Sequence, residues 1–140
     1  MKLLIKIMCF QLLLASVSYD VSAQTGTTIP LVAGDTVLNT GTASKTILLT
    51  GGFSGVYLQA DVRKLSGTVG GTLQLFASVD GVSYVQVGSD QTVTNTTGTK
   101  AYAFSVSAPV PVYLRVIHTG TGTMVSVLTL KYVIRKYQER

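Results

Sequence analysis

Apolar and polar side chains alternate strictly through the middle of the chain. Val56, Leu58, Ala60 and Val62 fall on one side of an extended backbone, and Tyr57, Gln59, Asp61 and Arg63 on the other. Leu73, Leu75, Ala77 and Val79 repeat the pattern against Thr72, Gln74 and Ser78. Tyr102, Phe104 and Val106 form a third stripe, and Val112, Leu114, Val116 and His118 a fourth. Leu128, Leu130, Tyr132 and Ile134 make the last, against Thr129, Lys131, Val133 and Arg135. A period of two marks strands with one buried face. Beyond the first two dozen residues no window sustains the 3.6-residue apolar period of a helix.

The breaks between these runs are turn chemistry: Gly51-Gly52, Gly70-Gly71, Asp80-Gly81, Thr97-Gly98 and Gly120-Thr121-Gly122. Pro109 and Pro111 bracket a crossing, where no ladder donor is needed. About eight strands result, over residues 36–38, 46–49, 56–63, 72–79, 83–87, 101–106, 112–119 and 124–135, after an extended lead-in at 24–35 with an edge strand around 29–32. Short strands at regular spacing predict an all-β fold, a single antiparallel β-sandwich of jelly-roll or Ig-like type.

The first segment, MKLLIKIMCFQLLLASVSYDVSAQ, departs from this pattern. Lys2 and Lys6 precede an apolar run from Ile7 to Val17 and a small-residue exit at Val21-Ser22-Ala23. This is the order of an export signal, with cleavage expected after Ala23. Residues 1–23 are read as that signal and 24–140 as one β-sandwich domain, the only expected contact with a membrane being through the signal. Cys9, the single cysteine of the chain, leaves with it, so no disulfide is expected in the domain. The exported product would be periplasmic, cell-surface or extracellular.

Charge and inventory exclude more than they identify. A net charge of +5 in 140 residues is modest. Lys45, Arg63, Lys64, Lys100 and Arg115 are scattered, which is not the one-faced basic footprint of a nucleic-acid binder. Only Lys131, Arg135, Lys136 and Arg140 gather. On a strand at the edge of a sheet they would discourage pairing with other chains, or dock on an acidic partner. Catalysis needs a positioned set of acids, bases or nucleophiles. Residues 24–140 offer one His, no Cys, and the acids Asp35, Asp61, Asp80, Asp90 and Glu139. His118 sits on an inward stripe and is expected to be a hydrogen-bonded structural residue. No catalytic residue, cofactor or metal site is expected, and the protein reads as a non-enzyme.

Ser78, Asp80, Gly81 and Tyr84, within SVDGVSY, carry the most specific local signal. Asp-Gly between alternating runs favours a tight hairpin turn, the carboxylate capping backbone donors and the glycine taking the left-handed conformation. A calcium ligand at Asp80 or Asp90 is the lesser reading, because the loops are poor in further oxygen ligands. Tyr57 and Arg115 are the candidates for surface binding, with Tyr84 and Tyr113 as further aromatic platforms for a carbohydrate. Asn95-Thr96-Thr97 is an N-glycosylation sequon, meaningful only in a compartment with the transferase.

The string LFASVDGVSYVQV resembles the hairpin of discoidin-like and other galactose-binding-like jelly rolls, and VYLRV resembles the strand that follows it there. Tyr84 stands where the discoidin hairpin carries Trp. Together with HTGTGTMVSVLTLKYVIRK, the pair is also similar to small β-sandwich proteins of tailed-phage virions. The likeness runs from Gly67 to Lys136. It implies a structural module, a virion accessory or assembly component that associates with itself or with other proteins. The export signal points instead to a secreted carbohydrate-binding or adhesion module.

Overall fold

The computed structural model describes residues 27–136, with side chains from residue 34 onward. The expected signal, its cleavage site and the last four residues lie outside them. Among the described residues there are nine strands: β1 (Thr27–Leu38), β2 (Thr42–Leu48), β3 (Phe53–Ser66), β4 (Gly70–Ser78), β5 (Val85–Gln86), β6 (Gln91–Val93), β7 (Thr99–Ser107), β8 (Tyr113–Thr121) and β9 (Val125–Lys136). They form two antiparallel sheets, ordered β1-β9-β3-β7 and β2-β8-β4-β5, with β6 beside β5 on the same edge of β4. The all-β sandwich expected from the alternation is therefore present.

The pairing decides between the two sandwich types. β1 pairs with β9, β2 with β8, β3 with β7, and β4 with β5 and β6. Each pair nests inside the one before, as in a long hairpin rolled so that successive pairs fall in alternate sheets. That is the jelly-roll winding.

The stripes read from sequence face each other across the interior, except at two ends, where Val79 and Val112 are exposed. Leu58, Ala60, Leu73, Leu114, Val116, Leu128 and Leu130 are completely buried. Burial of a Leu or Val side chain contributes about 1.5–3 kcal/mol, so this layer is the main source of stability in a domain without disulfides. His118 lies in the same layer and is fully buried. It is structural in place, as expected, yet poorly hydrogen-bonded: its ring nitrogens make no bond of good geometry, only a marginal one with the Gly70 backbone, and the buried Ser126 hydroxyl has no partner. Burial pushes the imidazole below its ordinary pKa, opposed by the nearby Gly70 backbone.

Three expectations need correction. The lead-in to residue 35 is mostly strand: β1 starts at Thr27 and pairs with β9 through two register shifts, between Ile29 and Val32 and between Val32 and Asp35. Pro30 falls in the first of these, where a missing ladder donor is tolerated on an edge strand. The polar stretch after Asp90 contains a ninth strand, β6, held to Gly71, Thr72 and Leu73. Finally, β9 is not an edge strand but lies between β1 and β3. Its Lys131 is spent on Asp61 at 2.6 Å, on the outer face of the sheet, so it guards no edge.

The edges are protected elsewhere. On one long side, β1 and β2 are the free strands of the two sheets. Lys45 falls on the inward stripe of β2, with Ala43, Ile47 and Leu49, and reaches Asp35 of β1 at 2.8 Å. On the other side, the Gln91 side chain donates to the Ala103 carbonyl at 2.6 Å, and the Thr94 amide donates to the Tyr102 hydroxyl at 3.1 Å. An inward charge and side-chain caps on strand backbone both discourage edge-to-edge association.

Candidate binding face

The outer face of the five-stranded sheet is laid out by register. Leu48 of β2, Tyr113 of β8 and Ser78 of β4 form one row. Thr46, Arg115, Phe76 and Gln86 form the next, across β2, β8, β4 and β5. Ser44, Ile117 and Gln74 follow, then a ladder of threonines: Thr42, Thr119, Thr72 and Thr92. Neighbouring strands lie about 4.8 Å apart, so each row is a continuous band of side chains. Tyr113, Phe76 and Ile117 are half-buried along the middle.

Arg115 is the best-positioned group on this face. Its guanidinium carbon lies 3.6 Å from the centre of the Tyr84 ring, a stacked cation–π contact. Its Nε donates to the Thr46 Oγ1 at 3.1 Å. The plane and the direction of the fork are thus both fixed. On the same face, Asp90 accepts from the Gln74 amide at 3.0 and 3.1 Å and from the Gln86 amide at 2.6 Å.

The loop after β4 supplies Tyr84. It spans Val79 to Tyr84, so Asp80-Gly81 is not the centre of the tight two-residue turn expected from its sequence. The reason is side-chain chemistry. Asp80 Oδ1 accepts from the Ser78 hydroxyl at 2.7 Å and from the Val82 and Ser83 amides at 2.9 Å each. The Ser78 Oγ accepts in turn from the Gly81 amide at 2.9 Å. These bonds close a wider loop. The Ser78 hydroxyl, then the Val82 and Ser83 amides, hold the Asp80 pKa down at about 2. Gly81 has φ of +75°, as expected, and a Cβ there would also press on the Tyr113 ring at 3.0–3.2 Å.

Fixed by its own bonds, this loop presents apolar side chains to solvent. Val79, Val82 and Val85 are 78%, 83% and 71% exposed. Val79 and Val85, with Pro111, line a shallow apolar cleft of about 280 Å³. No three acidic, His or Cys side chains gather into a metal-binding group among the described residues.

The structure thus joins Ser78, Asp80, Gly81, Tyr84 and Arg115 into one region and leaves Tyr57 out. Tyr57 is 49% exposed on β3, outward from the other sheet, beside Ser105 and Val133. Two stacked sheets, about 10 Å apart, separate it from Arg115. Alternation gives the face of a residue within its own sheet but not which sheet that is. Sequence reading missed Phe76, Thr46 and the Gln74–Asp90–Gln86 network, whose members meet only through cross-strand register. It also missed the local role of Asn95, whose Oδ1 accepts from Lys64 Nζ and from the Val69 amide at 3.0 Å each.

No protein-family model and no curated protein matches the chain. Among solved structures it is similar to the Yersinia pseudotuberculosis-derived mitogen, at 14% identity and a TM-score of 0.52, over 79% of this chain and 90% of that one. This likeness is one of fold. A chain from Bacillus endospore appendages, described as disulfide-linked pili, aligns at 15% identity over 80% of this chain and 91% of that one, with a TM-score of 0.38, and carries no argument. Neither is a tailed-phage virion protein or a discoidin-like domain, so those two resemblances rest on their short motifs.

Proposed function

We propose that this protein is an exported, non-enzymatic binding module that engages its partner with the outer face of the five-stranded sheet. The observation that carries the reading is Arg115, stacked on Tyr84 and tied to Thr46 on a face with half-buried aromatic rings. A side chain held in place before a ligand arrives loses little freedom on binding. The signal-like segment before the domain supports export, and a carbohydrate is the ligand class we favour.

Retention on a glycan array and on cell-wall polysaccharide tests the assignment of the face. Tyr84→Ala and Arg115→Ala should each lose at least about tenfold in affinity, the loss of a single anchoring contact. Tyr57→Ala, on the opposite face, should bind as the parent does. Loss confined to Tyr57→Ala would overturn the reading.

A second reading, a virion accessory or other assembly component, is favoured by the exposed valines of the Val79–Tyr84 loop and by Val85. Single exposed apolar residues are ordinary, but a grouped set rimmed by polar residues marks contact surfaces. Light scattering distinguishes the two. A defined oligomer that Val82→Asp returns to monomer supports assembly, and a monomer at all concentrations supports the binding module.

A further inference from the structure

The fork of Arg115 has no carboxylate within ion-pair distance among the described residues. Each acidic side chain among the described residues is engaged elsewhere: Asp35 with Lys45, Asp61 with Lys131, Asp80 with its own loop, and Asp90 with Gln74 and Gln86. Arg115 forms no ion pair among the described residues. Stacking on Tyr84 holds the guanidinium flat, and the Nε bond to Thr46 occupies one of its five donors, leaving the terminal nitrogens. A planar fork with free terminal N–H groups matches a carboxylate in two parallel hydrogen bonds, which an ammonium cannot reproduce.

What surrounds the fork bears on what carries that carboxylate. β8 and β4 lie inside the sheet, so their backbone groups are committed to neighbouring strands. An extended peptide recognised by strand addition needs a free edge, and the nearest one, β2, carries the inward Lys45 that discourages such pairing. The surface offers instead half-buried rings at Phe76 and Tyr113, with amide and carboxylate groups of Gln74, Gln86 and Asp90 alongside. Apolar platforms beside fixed polar groups suit a sugar ring with its hydroxyls.

We infer that the Arg115–Tyr84 face binds an acidic glycan through the carboxylate of a uronic or sialic acid residue. The inference rests on the binding-face reading above and adds the charge of the ligand and the atom that reads it.

Calorimetric titration of the signal-free domain tests it, with oligogalacturonate and sialyllactose as acidic probes. Methyl-esterified oligogalacturonate and lactose are their neutral counterparts, and polyglutamate is a carboxylate without sugar. The expected result is binding of one acidic glycan, weakened at least about tenfold by removal of its charge. Arg115→Gln should lose it similarly. Arg115→Lys should recover only part, because charge returns without the fork. The acidic probe that binds separates a uronate from a sialate source.

Equal binding of acidic and neutral glycans, lost in Tyr84→Ala but kept in Arg115→Gln, would overturn the carboxylate assignment and leave the binding face standing. Binding of polyglutamate in preference to both acidic glycans would overturn the glycan. Failure of every glycan to bind would remove this inference and its premise together. Far-ultraviolet circular dichroism of each variant verifies the fold, which an outward-facing side chain should not disturb.

Discussion

His118 is the titratable residue in the central layer of the core, and its burial gives stability a pH dependence. In the folded chain the imidazole is buried, neither nitrogen makes a well-formed hydrogen bond, and its pKa lies below the ordinary 6.5 because burial outweighs the marginal bond with the Gly70 backbone. The register puts Ala43 and Leu73 beside it, neither of which carries charge. In the unfolded chain the ring takes its proton near 6.5. Above that value both states are neutral and stability is full. As pH falls below 6.5 toward the folded pKa, the unfolded state binds the proton first and stability declines. Urea midpoints measured from pH 7.5 to 5 should therefore fall, in a window above the ordinary titration of carboxylates. His118→Leu should remove most of that slope. It should also be no less stable at neutral pH, since an unpaired buried polar group costs about 1–3 kcal/mol. A slope unchanged in the variant would assign the effect to another group.

At the scale of strands, the Asp35–Lys45 pair makes an asymmetric prediction. The Lys45 side chain is only 11% exposed, whereas that of Asp35 is 48% exposed. Asp35→Asn strands an ammonium among apolar neighbours and should cost about 1–3 kcal/mol in chemical unfolding. Lys45→Met leaves a carboxylate that water can reach, so its cost should be near zero. Its effect should appear instead in light scattering, as association of β2 edges no longer blocked by an inward charge. If Lys45→Met proved the less stable of the two, the exposures would not be controlling the outcome.

Strands also show what was legible in the sequence. Alternation is a local property and gave the faces of β3, β4, β7 and β8. The Asp80 cap and the left-handed Gly81 were legible because all their partners lie within three residues. The edge status of β9 was not, because alternation is blind to neighbours. Nor was β6, since three residues in a polar stretch carry no period. The meeting of Arg115 and Tyr84 depends on two ladders, β8 with β4 and β4 with β5, and a shift of one residue in either would separate them.

For the whole molecule, the outermost pair of the roll has a mechanical meaning. Thr27 is partnered with Ile134 and Leu38 with Val125, so the described chain enters and leaves the sandwich side by side. A load applied between Thr27 and Lys136 would pull β1 and β9 apart from that shared end, opening one ladder bond after another. Bonds broken in succession resist far less than bonds sheared together. A load between Arg115 and either of those positions acts across the two packed sheets and does not meet the β1–β9 ladder from its open end. A domain tethered at its chain ends and gripped at the Arg115 face would hold better than one stretched between its two ends.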